Sequence, residues 1–132
     1  MDSGVYTLII KLDKNQVIKI GELGRLDFKK GFYIYTGSAL KGLKKRIERH
    51  RKKQKKLFWH IDYLLANKHS KILQIMAIKT KKKLECKLNK IISSLPNAKA
   101  VKKFGCSDCK CKTHLYYFDE VNLAKFLVLK FK

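Results

Sequence analysis

Two short tyrosine motifs hold the residues best suited to chemistry, Gly4-Val5-Tyr6 and Tyr35-Thr36-Gly37-Ser38-Ala39. A phenol donates and accepts hydrogen bonds, and neighbouring cations ease the loss of its proton. If the strands carrying the two motifs pair, Tyr6, Leu8 and Ile10 share a face, as do Tyr33, Tyr35 and Gly37. Both hydroxyls can then meet on one surface. Gly37 stands where a strand hands over to a helix, and glycine there lets backbone approach a phosphate closely. A basic run follows: ten of the sixteen residues from Lys41 to Lys56 are Lys or Arg, and Glu48 is the only acid. With so little to pair with, these cations read as phosphate contacts rather than a solvated face. A third group, Cys106-x2-Cys109-x-Cys111-x2-His114, has ligand types and spacing for a structural zinc site, with Cys86 as a distant further ligand. Reduced thiols near the site and a disulfide are the alternatives.

These residues need elements to position them. Residues 5–12 are β-branched and aromatic and predict a strand, Asp13-Lys14-Asn15 a turn, and 16–20 a returning strand. Gly21 and Gly24 punctuate a loop, and 31–37 predict a third strand, so the three strands form an expected antiparallel meander. Leu40, Leu43 and Ile47 then make one stripe of a helix running to about Lys56. A short helix is expected over 59–66 and a fourth strand within 70–80. A further helix over 82–95 ends at Pro96, with Leu84, Leu88, Ile91, Ile92 and Leu95 inward. The Cys-rich loop, a strand over 114–118 and a closing element over 121–129 complete the chain. The expected fold class is α/β (α+β): one domain over residues 1–132, with a small, largely antiparallel central sheet flanked by helices. Its core is about 4–95 and its Cys-rich C-terminal extension 104–132.

Composition bounds the partners. The 132 residues carry 32 Lys and Arg against 10 acids, a formal charge of +22, yet 45% are hydrophobic, enough for one core. Confining that charge costs folding energy, and a polyanion that neutralises it is the simplest reason to keep it. A membrane partner is not expected: there is no apolar run of spanning length and no basic start followed by an apolar stretch. The cysteines without a secretory signal place the chain in a reducing cytoplasm.

With these residues in view, the chain resembles the GIY-YIG nucleases. Their two tripeptides correspond to Gly4-Val5-Tyr6 and Tyr35-Thr36-Gly37, and their helix arginine to Arg46, with His50 one turn later as in many members. Their metal-binding glutamate corresponds to Glu85 in Lys83-Leu84-Glu85-Cys86-Lys87-Leu88. Phe58-Trp59-His60-Ile61-Asp62-Tyr63-Leu64-Leu65 and the segment 105–115 resemble the stand-alone, mostly archaeal (Uri-type) branch. Val5 and Thr36 depart from the usual isoleucines, and the family's polar residue after the glutamate helix matches either Asn89 or Asn97.

The resemblance implies a GIY-YIG-like domain and a divalent-metal-dependent endonuclease that cuts DNA phosphodiesters by structure, in a repair setting. Mg2+ or Mn2+ would sit on Glu85, Arg46 would neutralise transition-state charge, and Tyr35 would orient Tyr6 or a phosphate oxygen. The general base would be Tyr6, made acidic by its cationic setting, or His50, whose ordinary pKa suits neutral pH. Gly37, Ser38, Lys41, Lys44, Lys45 and Arg49 would bind the nucleic acid, with RNA as the alternative to DNA. Two other readings stand beside this one: a non-catalytic basic nucleic-acid-binding module with the same fold, and a zinc-stabilised interaction domain.

Overall fold

The computed structural model describes residues 2–101, 103–105 and 113–119. In chain order the elements are β1 (Gly4–Leu12), β2 (Gln16–Lys19), β3 (Arg25–Phe28), β4 (Gly31–Ala39), α1 (Leu43–Arg51), α2 (His60–Ala66), β5 (Ser70–Lys79), α3 (Glu85–Ser93), β6 (Lys99–Ala100) and β7 (Leu115–Phe118). A 3-10 turn at Gly21–Leu23 joins β2 to β3. Every residue of β1 except Lys11 is buried, so this strand must be covered on both faces and both edges. β4 pairs with it antiparallel along its whole length, setting Tyr6 opposite Gly37 and Leu8 opposite Tyr35. β5 pairs antiparallel along the other edge, with a bulge where the register jumps from Ile9–Gln74 to Ile10–Ile72. The sheet order is β5-β1-β4-β7-β6, antiparallel throughout. The result is a single small α+β domain: a five-stranded antiparallel sheet, a separate hairpin and three helices.

The expected meander is not formed. The strand after the first turn pairs with Arg25–Phe28, a segment expected as loop, and the two make their own ribbon. β1 is thereby left free to take β4 and β5 as neighbours. The ribbon uses Ile18 and Phe28 to cover the core instead of extending the sheet.

Each sheet face carries its own apolar cluster. On one, Tyr6, Leu8, Ile10, Tyr33 and Tyr35 pack with Leu43 and Ile47 of α1 and Ile61, Leu64 and Leu65 of α2. On the other, Val5, Ile9 and Ile34 pack with Leu88 and Ile92 of α3. Each such aliphatic side chain contributes about 1.5–3 kcal/mol on burial, which is what fastens the short helices down.

Helix α1 is shorter than the sequence pattern suggests at both ends. It starts at Leu43, where the Asp2 carbonyl accepts from the Leu43 N–H at 2.7 Å and the Asp2 carboxylate from the Lys44 N–H at 2.9 Å. Gly42, at φ 71°, makes the left-handed turn into it. Leu40 lies before the helix and is 70% exposed, not inward. The basic run beyond Arg51 folds back: Lys55 Nζ donates to the carbonyls of Arg49 and His50, and Lys53 Nζ to those of Leu65, Asn67 and Ser70. Those ammonium groups satisfy carbonyls at the ends of α1 and α2, contacts that a continued helix would not have made. No described helix is long and apolar enough to cross a membrane. The expected closing element over 121–129 lies outside the described residues.

Candidate functional site

Tyr6 stands near the start of β1 and Gly37 near the end of β4, so antiparallel pairing brings the two tyrosine motifs to one end of the sheet. The Tyr6 ring lies across Gly37: a Cβ there would sit 2.5 Å from the Tyr6 hydroxyl oxygen and 3.1 Å from the Tyr35 ring. The two tyrosine rings are 6.5 Å apart. Tyr6 Oη and His50 Nε2 are 2.7 Å apart in a buried hydrogen bond. Burial pushes the Tyr6 phenol up to about 12, outweighing the opposing Arg46 charge. Burial, reinforced by Lys55, pushes the His50 imidazole down to about 4. At rest Tyr6 therefore holds its proton and His50 is neutral. Tyr35 is likewise pushed well up by burial and by its neighbour Tyr6.

Arg46 lies one turn before His50 on α1 and donates to the Ser38 carbonyl at 2.9 Å. Its guanidinium carbon stacks 4.2 Å from the centre of the Trp59 ring, and that of Arg49 4.4 Å from the same ring. The side chain of Arg49 is committed further: its fork donates to both carboxylate oxygens of buried Asp62, at 2.7 and 2.9 Å. Asp62 also accepts from the backbone N–H groups of Phe58 and Trp59, at 2.9 and 2.8 Å. Burial raises the Asp62 carboxyl, but Arg49 and the two N–H groups outweigh it and hold it low. The Arg49 fork is thus tied to the fold through Asp62.

Glu85 arrives from the other side of the sheet, at the first turn of α3. Ser38 Oγ donates to one of its oxygens, and His114 Nδ1 lies 2.7 Å from the other. The same Nδ1 is 3.2 Å from the Thr36 carbonyl. Both neighbours are acceptors, so this nitrogen carries a proton. Burial raises the Glu85 carboxyl, while His114, Ser38 and Arg46 pull harder and leave it below the usual range. Tyr6, Tyr35, Gly37, Ser38, Arg46, Glu85 and His114 all line one cleft of ≈ 1180 Å³. Lys41 and Lys81 to Lys83 stand on its rim, whereas Lys44 and Lys45 are exposed on α1 without lining it.

Asn89 is buried, its amide donating to the Thr113 carbonyl at 2.6 Å, and Asn97 occupies a left-handed turn, so neither lines the cleft. Cys106, Cys109 and Cys111 lie outside the described residues. Among the described residues no three His, Cys, Asp or Glu side chains gather to hold a metal. A one-carboxylate site is a different case. Each Glu85 oxygen has spent one lone-pair direction on Ser38 or His114 and keeps another, and the side chain is 26% exposed at the cleft. Magnesium and manganese accept one carboxylate with waters and a substrate phosphate, so the residues fit such an ion. Sequence reasoning missed Trp59 as the platform for Arg46; His114, read there as a zinc ligand or a residue near the active face, partners Glu85, and His60, also read as near that face, lines the cleft. The backbone N–H of Gly105 donates to His60 Nδ1 at 2.8 Å, which leaves the ring proton on Nε2 of a cleft-lining residue.

The fold and cleft define a small α+β domain with a basic cleft lined by an arginine, a glutamate and a tyrosine that is hydrogen-bonded to a buried histidine behind it. The chain belongs to the family described as Domain of unknown function DUF123, whose model matches residues 5–131. No curated protein and no solved structure matches it.

Proposed function

We propose that the chain is a divalent-metal-dependent endonuclease acting on DNA, of the GIY-YIG type, working in a reducing cytoplasm. The observation that supports this most is convergence. Tyr6, Arg46 and Glu85, drawn from a strand and two helices on opposite sheet faces, line one cleft in a chain of charge +22.

The residues divide the work. Arg46, held flat against Trp59, presents a planar cation to the scissile phosphate. Tyr6 Oη orients the attacking water and passes its own proton to His50 Nε2 as it takes one from that water. In the resting pair burial opposes this transfer, because it disfavours both the phenolate and the imidazolium. A phosphate entering the cleft brings negative charge that favours the imidazolium, tying the relay to substrate. Magnesium or manganese on Glu85 would supply charge neutralisation at the phosphate and the departing oxygen. His114 and Ser38 hold the Glu85 carboxylate in place and ionised.

The test is cleavage of labelled single-stranded, duplex and branched DNA with magnesium or manganese, by the parent and by Glu85→Gln, with binding measured in parallel. Cutting by the parent, lost on Glu85→Gln with affinity kept, is the expected result. A second reading draws on the fact that both Glu85 oxygens are already hydrogen-bonded: a non-catalytic module that keeps the cleft for its charge. Tight binding by both proteins without cutting would establish that reading.

A further inference from the structure

Leu40 and Phe58 are the most exposed large apolar side chains among the described residues, at 70% and 73%, and both line the cleft that holds Tyr6 and Glu85. On a chain this polar, leaving both in water at one opening is costly unless something covers them. Phe58 is firmly mounted. Its backbone N–H is anchored on the buried Asp62 carboxylate, and its ring packs edge-on to Trp59 at 5.5 Å and 67°. Trp59 in turn lies under Arg46 and Arg49. The exposed ring is thus tied through one neighbour to the arginine facing the phosphate.

We propose that Phe58 and Leu40 form a stacking site for an unpaired base of the DNA strand in the cleft, so that the substrate is single-stranded or locally opened DNA. The inference rests on the nucleic-acid reading above and names the substrate class. A base in a duplex has both faces covered by its neighbours, so only an unpaired one can lay a face on Phe58. The cations on the rim (Lys41 and Lys81 to Lys83) match the phosphates on either side of such a base. A second copy of the chain is the poorer occupant, because two bodies of charge +22 repel.

The experiment measures affinity for a 12-nucleotide single strand and for the matching duplex, in chelator so that no cleavage intervenes. The proteins are the parent, Phe58→Ala, Phe58→Trp and Leu40→Ala. The parent should prefer the single strand. Phe58→Ala should weaken that binding by about 5- to 150-fold while changing duplex binding little. Phe58→Trp should retain it, and Leu40→Ala should fall between. Equal losses on both DNAs, or none, would overturn the stacking site and leave the nuclease reading standing. No DNA binding by the parent would overturn both. Sedimentation of the free proteins completes the set: a parent dimer that Phe58→Ala dissociates would assign the patch to a second copy and overturn the proposal.

Discussion

Tyr6 Oη and His50 Nε2 meet at 2.7 Å inside the protein, a phenol pushed up to about 12 against an imidazole pushed down to about 4. The pair is neutral at rest, and its polarity is set by burial. Because the folded-state pKa of His50 lies below its ordinary 6.5, folding favours the neutral ring. The associated stability is fully present above pH 6.5 and is lost as pH falls toward 4. The loss is about 3 kcal/mol, set by the gap between the two values. Denaturation midpoints of the parent should fall across that window, and those of His50→Gln should fall less, the remainder coming from His60, which burial also lowers. The Asp62 and Glu85 carboxyls, both held low, take their share away only at more acidic pH. A parent curve flat from pH 6.5 to 4 would rule out a buried neutral His50.

Gly37 has no room for a side chain, because Tyr6 lies over it. Gly37→Ala should destabilise the fold by roughly 1–3 kcal/mol through overpacking, and it should displace the Tyr6 hydroxyl. We expect cleavage to fall by at least tenfold with DNA affinity retained, read from single-turnover rates beside binding curves. Unchanged cleavage would mean that the position of Tyr6 does not matter to the reaction.

Arg49 and Lys41 belong to the same basic run but should respond differently. Arg49→Ala breaks the bidentate pair with buried Asp62 and should cost roughly 2–4 kcal/mol of stability. It should leave the salt dependence of DNA binding as it was. Lys41→Ala should change stability by less than about 0.5 kcal/mol. Its DNA binding should lose about 0.9 from the slope of log affinity against log salt. Urea titrations and salt titrations of the two variants separate these roles, and the reversed pattern would refute the assignment.

Trp59 carries Arg46 on its face, so it should act through that guanidinium. Trp59→Phe keeps an aromatic face of smaller area and should lower kcat by only a few-fold; Trp59→Leu removes the face and should lower it by roughly tenfold or more. KM should move little in either. Equal kcat in the two variants would show that packing, not the cation–π contact, is what Trp59 provides.

Much of the architecture was legible along the chain. The strands containing Tyr6, Tyr35, Ile75 and Tyr116 follow from β-branched and aromatic runs, and α3 from the spacing of Leu88 and Ile92, because period is a local property that sets which side chains share a face. Composition carried the expectation of a polyanionic partner. The tyrosine motifs could be placed together because one pairing of β1 with β4 puts Tyr6 and Tyr35 on one side.

Local pattern could not say which strand pairs with which. Gln16–Lys19 alternates equally well whether its neighbour is β1 or Arg25–Phe28, and only competition for the two edges of β1 decides it. The fate of each cation was equally hidden. Arg46, Arg49, Lys53 and Lys55 look alike in a basic run, yet Asp62 claims one, helix-end carbonyls claim two, and Trp59 and the cleft keep the other. Charge count is written in the chain, but pairing depends on which acid or carbonyl the fold brings within about 3 Å. The same holds for Glu85 beside Ser38 and His114, and for the opposed shifts of Tyr6 and His50. These come from burial and through-space contact, which exist only once both faces of the sheet are covered.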